Sequence, residues 1–163
     1  MLIRPAEVHP PRGLWRWLAR LPIWLYRARV GWLLGDRFLM LTHVGRTSGM
    51  PRQVALEVVR HDKATGDYYI AAGFGEKSDW LLNIGKTPRV VVQAGLRQWQ
   101  ANAARLTPDE AGREILDYAH RHPFAIRELA RMMGYRMDGT EAGYRALGRQ
   151  LPVVALRRSQ REK

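Results

Sequence analysis

At 163 residues with a net charge of +12 and no cysteine, the chain has the length of one domain with a substantial core. The missing thiols exclude disulfides, thiolate metal sites and cysteine nucleophiles, and they suit a reducing compartment such as the cytoplasm. The basic excess sits at the ends: residues 1–37 carry seven Lys or Arg against two acids, residues 145–163 six against one, and residues 38–144 fourteen against twelve.

Residues 1–11 show no periodicity and carry Pro5, Pro10 and Pro11, which marks a lead-in. From 13 to 34 the pattern is helical, with Leu14, Trp17, Leu18, Leu21, Trp24 and Leu25 on one side and Arg16, Arg20 and Arg27 on the other. Pro22 kinks this helix or starts a second one. Arginines interrupt it too often for a membrane span of ~20 apolar residues. It also lacks the small-residue cleavage site of a secretory signal. Trp15, Trp17, Trp24 and Trp32 all lie here. Two readings stay open: a helix packed on the domain as support or lid, or one lying on an anionic membrane surface at the inner face.

From Phe38 the signal turns to strand. An apolar run ends at Val44, the chain turns through Gly45, Arg46, Thr47, Ser48 and Gly49, and it resumes after Pro51. Glycine permits positive φ and close backbone approach, and successive N–H groups in such a turn form an anion-binding concavity. Arg46 and Arg52 can add charge-assisted hydrogen bonds to a phosphate or carboxylate. The stretch is neither a Walker loop nor a dinucleotide fingerprint, because no Gly-Lys-Ser/Thr and no helix pattern follows. An ordinary exposed hairpin turn is the plain alternative.

The second strand alternates over 53–59, residues 62–67 read as a hairpin turn around Gly66, and 68–72 form a third strand closing at Gly73, Phe74 and Gly75. Ser78 or Asp79 caps a short helix carrying Trp80, Leu81 and Ile84. A hairpin follows over 90–93 and 98–103. Thr107, Pro108 and Glu110 make a capping box at the start of a helix running toward His122. Residues 124–133 read as another helix, ended by Gly134. The glycine-rich stretch 139–148 is ambiguous, and 151–156 is a last apolar strand. The histidines show no metal-ligand spacing, so no metal site is expected. Links between strands are mostly too short for βαβ crossovers, which favours a small barrel over a parallel sheet.

Taken together, the ordered residues resemble a known family. Thr-His-Val-Gly-Arg-Thr-Ser-Gly-Met-Pro-Arg over 42–52 is followed, after one hairpin, by Ala-Ala-Gly-Phe-Gly-Glu-Lys-Ser-Asp-Trp over 71–80, then Asn83 and Pro88. This order resembles the deazaflavin-dependent nitroreductases, split-barrel proteins that use reduced coenzyme F420. The resemblance covers residues 38–106 and is fainter through 151–154. It implies an α+β, mainly β fold: a split β-barrel with short peripheral helices, here preceded by the amphipathic helix. The chain then divides into a basic amphipathic segment (1–37), a cofactor-binding split-barrel domain (38–157) and a basic tail (158–163).

The resemblance also implies site residues. Gly45, Arg46, Thr47, Ser48, Gly49 and Arg52 would hold the cofactor's phosphate and acidic tail. Ala72, Gly73, Phe74 and Gly75 would line the deazaflavin ring, with Lys77, Ser78 and Trp80 beside it. Trp80 and Asn83 match a Trp-x-x-Asn pair whose main work is packing and loop-tying. The chain departs from the family at Lys86-Thr87-Pro88, often Ala-Asn-Pro, and at Asp79, often proline. Tyr135 and Tyr144, in the region where some relatives approach substrate, join His43 as candidate proton donors; ordinary packing is the plain reading of all three.

The expected activity is hydride transfer from reduced F420 to an unsaturated, quinone-like or nitro acceptor, of lipophilic character if the tryptophan-rich helix meets a membrane. Such chemistry needs no triad, metal or paired carboxylate, because the cofactor carries it. The alternatives are an FMN enzyme of the same fold and a non-catalytic cofactor- or lipid-binding protein. A homodimer fits the fold, and no nucleic-acid partner is expected, because the near-neutral middle carries no recognised motif.

Overall fold

The computed structural model describes residues 36–159. The segment read as an amphipathic helix (13–34) and the end of the basic tail (160–163) lie outside the described residues. Six strands close a barrel: β1 (Phe38–Val44), β2 (Pro51–His61), β3 (Tyr68–Ala71), β4 (Arg89–Ala94), β5 (Arg97–Arg105) and β6 (Val153–Arg158). Their order around the barrel is β1-β2-β3-β6-β5-β4, and neighbours run antiparallel. Four helices complete the described fold: α1 (Asp79–Lys86), α2 (Pro108–Arg121), α3 (Pro123–Met132) and α4 (Glu141–Gln150). The mainly β barrel with short peripheral helices is the architecture the sequence pattern pointed to.

Register decides which loops meet. Val44 pairs with Pro51, Ala71 with Val153, Arg105 with Val154 and Arg89 with Asn102. These residues mark one end of the barrel. The 45–49 turn leaves from that end, and the whole 72–88 connection, α1 included, departs from β3 and returns to β4 there. The opposite end is closed by aromatic packing, with His61 stacked on Tyr68 at 4.0 Å and Tyr68 against Trp99 at 5.3 Å.

Strand alternation builds two cores. Leu39, Leu41, Ile70, Val92, Val154 and Leu156 belong to one, inside the barrel, and Trp80, Leu81 and Ile84 of α1 join it. Period-2 geometry sends the neighbours Tyr69, Ala71 and Val153 to the outer face, where α2, α3 and α4 form the second core around Ile115, Ile126 and Leu147. β6 is therefore apolar on both faces, which explains its unbroken run Val153, Val154, Ala155 and Leu156.

The predicted capping box is present: Thr107 accepts from the Glu110 N–H, and the Glu110 carboxylate accepts from the Thr107 N–H at 2.8 Å. Ser78 occupies the N-cap position of α1, but its hydroxyl donates back to the Gly75 carbonyl at 2.8 Å and caps nothing. β6 runs through Arg158, one residue into the segment read as a tail. Arg60 ties the barrel to α2 by a two-pronged pair with Glu114 at 2.8 and 2.9 Å, while stacking over Tyr69.

The ambiguous stretch 139–148 is mostly helix α4; Gly139, at φ 78°, turns the chain ahead of it, whereas Gly148 is there for contact. A Cβ on Gly148 would lie 2.7 Å from the Ala111 carbonyl oxygen and from the Gly112 Cα. A Cβ on Gly112 would lie 3.1 Å from the Arg145 carbonyl oxygen. The two helices thus meet backbone to backbone. Gly148→Ala would gain helix propensity of up to ~1 kcal/mol but overpack this crossing, so a net loss of about 1–2 kcal/mol is expected in denaturant unfolding. Unchanged stability would show that the helices separate freely.

Candidate functional site

The 45–49 turn is narrow by construction. Gly45 donates to the Met50 carbonyl and Gly49 to the Gly45 carbonyl, each at 2.8 Å. Gly49 sits at φ 65°, where a side chain is strained. At Gly45 the constraint is space, since a Cβ would lie 2.6 Å from the Ser48 hydroxyl oxygen. Of the turn's N–H groups, those of Thr47 and Ser48 have no acceptor among the described residues.

Asn83, in α1, organises the turn from beneath. Its Oδ1 accepts from the Arg46 N–H and from Arg46 Nη1, both at 3.0 Å. With Oδ1 so assigned, Nδ2 must donate to His43 Nδ1 at 3.1 Å, which leaves the His43 proton on Nε2. Asn83 and His43 are only 4% and 5% exposed, so the bond between them lies out of water, while the two to Arg46 are part-buried. On the solvent side Arg46 Nη2 donates to Asp79 at 3.0 Å, and Lys86 donates to the Arg46 carbonyl at 2.8 Å. The loop-tying expected of Asn83 is therefore seen atom by atom. Lys86 was not among the sequence candidates. Its place became visible only when α1 folded back over a turn 40 positions earlier.

Arg46 and Lys86 line a concavity of about 360 Å³ together with Val44, Gly45, Thr47, Ser48, Gly49 and Thr87. Arg52 folds toward it, its Nε 3.7 Å from the space a Gly45 Cβ would take, and has no ion-pair partner among the described residues. Among the described residues the donor set suits an anion: two N–H groups, hydroxyls and three cations, with Asp79 engaged on Arg46 outside the hollow's lining.

The 72–78 loop lies at the same end. Gly75 adopts φ 75°, and Phe74 is 52% exposed. A Cβ on Gly73 would approach Leu129 of α3 at 3.2 Å, so α3 sets the loop's outer limit. Glu76 pairs with Arg105 of β5 through both Nη atoms of the guanidinium, which pins the loop to the barrel and holds the Glu76 carboxyl below its usual range. Beside this pair lies a more apolar hollow of about 330 Å³, lined by Leu81, Leu82, Ile84, Pro88, Ala103 and Val154 among others. Lys77 is exposed and Ser78 half-buried, whereas Trp80 points into the barrel core at 8% exposure.

The structure does not gather the three candidate proton donors. His43 lies under the turn, while Tyr135 and Tyr144 belong to the second core, and the Tyr135 hydroxyl donates to Gln150 at 2.6 Å. Burial first, and the nearby Arg52 charge second, hold the His43 imidazole below its usual value, with Asp79 opposing. Because the unfolded chain would protonate first below its ordinary value of 6.5, this group costs stability as pH falls from there through the depressed folded value, and is neutral in effect above. Wild type should lose more unfolding free energy between pH 7.5 and 5.5 than His43→Gln. Equal losses would mean that His43 takes up its proton without penalty.

A model of the F420H(2)-dependent quinone reductase family matches residues 18–124, well over half of the chain. An F420-H2 dependent reductase, FDR-A, is 22% identical with a TM-score of 0.52, over 74% of this chain and 93% of that one. A protein of unknown function from Agrobacterium tumefaciens is 18% identical with a TM-score of 0.54, over 96% of this chain and 60% of that one. HutZ, the heme storage protein from Vibrio cholerae, is 13% identical with a TM-score of 0.52, over 86% and 92%. Those structures share the fold; the family match adds the chemistry, and the donor-rich turn at this end of the barrel fits a phosphate-bearing deazaflavin. The chain belongs to the F420H(2)-dependent quinone reductase family and is a reductase whose cofactor is F420.

Proposed function

We propose that this reductase delivers the hydride of reduced F420 to a quinone-like or otherwise unsaturated acceptor of lipophilic character, nitro compounds included, with the cofactor held across the 45–49 turn and the 72–78 loop. One observation carries the reading. Two motifs distant in sequence meet at one barrel end, joined by Arg46 to Asp79 and Asn83 at 3.0 Å each. Gly45, Arg46, Thr47, Ser48, Gly49 and Arg52 hold the phosphate and acidic tail, with Lys86 as an added cation. Ala72, Gly73, Phe74 and Gly75 line the ring, and Lys77 and Ser78 flank it. Trp80 supports the site from within the barrel.

F420 supplies the hydride; the chain binds, orients and excludes water. The family's name supports a quinone acceptor, and the apolar hollow beside Glu76 and Arg105 supports an apolar one. A fluorescence titration should show tighter binding of F420 than of FMN, and the reduced cofactor should be oxidised by soluble quinones. Arg46→Ala should weaken F420 binding by about 1.5–3 kcal/mol, a factor of roughly 10–150. An unchanged dissociation constant in the folded variant would remove the phosphate from this turn, and tight binding without turnover on quinones, enones or nitro compounds would favour a carrier.

The tryptophan and arginine pattern of residues 13–34 supports contact with an anionic membrane, where lipophilic acceptors reside. Among the described residues no helix is long and apolar enough to cross one. Flotation with anionic liposomes should retain the full chain and lose a variant with Trp17 and Trp24 replaced by Ser. Equal flotation of both would end the idea.

A further inference from the structure

We propose that Asp79 is an internal counter-ion that competes with the cofactor's phosphate for Arg46 and so holds cofactor affinity below what the turn alone would give. The inference rests on the placement of the phosphate at the 45–49 turn argued above. Arg46 is gripped on two sides that differ in kind. Asn83 is neutral and buried, and it fixes both the backbone and the guanidinium. Asp79 is charged, and its side chain is 84% exposed. It therefore lies in solvent at Arg46 Nη2, where an anion that takes up this guanidinium meets it.

Among the described residues no carboxylate lines the hollow at the turn, and Asp79 reaches it only through Arg46; the further cations there are Lys86 and Arg52. An exposed ion pair of this kind is weak, worth about 0.2–1 kcal/mol. It can be displaced without disturbing the fold, but every oxyanion that uses Arg46 must displace it or accept its repulsion. The first position of α1 does not require Asp for capping, because Ser78 holds the N-cap position and makes no side-chain cap bond. Its negative charge at a helix N-terminus is favourable in itself, a smaller effect that any replacement loses whether or not ligand is bound.

The consequence is a grip that releases. A cofactor spent by one hydride transfer has to be re-reduced or exchanged before the next. A carboxylate ready to take back Arg46 lowers the barrier to exchange at the phosphate end, while leaving ring contacts untouched.

The test compares Asp79→Asn and Asp79→Ser with wild type, each first shown to be folded by thermal unfolding. Dissociation constants are measured by fluorescence for F420 and for its chromophore with the ribityl chain but no phosphate, with Arg46→Ala as reference. Both Asp79 variants should bind F420 about two- to fivefold tighter and release it more slowly, with no change for the phosphate-free compound. F420 binding that is unchanged or weaker in both variants, while Arg46→Ala still weakens it, would overturn the proposal and make Asp79 an orienting partner of Arg46. Equal tightening for the phosphate-free compound would overturn it too, since the effect would not act through the phosphate. If Arg46→Ala also left F420 binding unchanged, the placement of the phosphate would fail and take the proposal with it.

Discussion

The amide of Asn83 is the interaction on which the site end of this barrel depends. One buried side chain uses its oxygen to hold a backbone N–H and a guanidinium of the same arginine, and its nitrogen to fix a histidine tautomer. A side-chain amide has both donors and acceptors in fixed geometry, so no hydrophobic or charged residue of that size could hold all three partners. Because Asn83 is carried by α1, and α1 is anchored in the barrel by Trp80, Leu81 and Ile84, the turn inherits the rigidity of the core. Pre-organisation of that sort lets a short exposed loop act as a binding site without a large ordering cost on ligand entry.

The second layer follows a different rule. Barrel strands that are apolar on both faces need a cover, and α2 and α4 supply it by crossing closely enough for Gly112 and Gly148 to face backbone. The Arg60–Glu114 pair then ties that layer to β2 from the side. Since Leu129 of the same layer limits the 72–78 loop at Gly73, the position of the helices bears on the shape of that end of the barrel.

What the sequence disclosed was local. The strand Phe38–Val44, the turn around Gly66 and the capping box at Thr107 rest on patterns within a few residues, and each appears where the pattern lies. The stretch 139–148 was illegible because Gly148 answers to Gly112 and Ala111, more than 30 positions away, and in isolation such a glycine looks like loop. The same holds within the site. Gly45, Arg46 and Gly49 stand out in sequence, but the engagement of Arg46 by Asn83 and Asp79, and the arrival of Lys86, depend on contacts 33 to 40 positions apart. Trp80 enters through the Trp-x-x-Asn resemblance as a packing residue, and its 8% exposure within the barrel core agrees with that part.

Closure of the barrel has a consequence for how the chain is made. β6 lies between β3 and β5, and it is the last strand in sequence, following three helices. During synthesis from the N-terminus, β1 to β5 can pair as hairpins and neighbours, yet the facing edges of β3 and β5 stay open until residues 153–158 leave the ribosome. For that interval the nascent barrel presents two unpaired strand edges and the apolar inner face between them, the arrangement most prone to pairing with another chain. Cellular yield should accordingly be set less by the stability of the finished barrel than by how quickly its final strand is delivered to the gap.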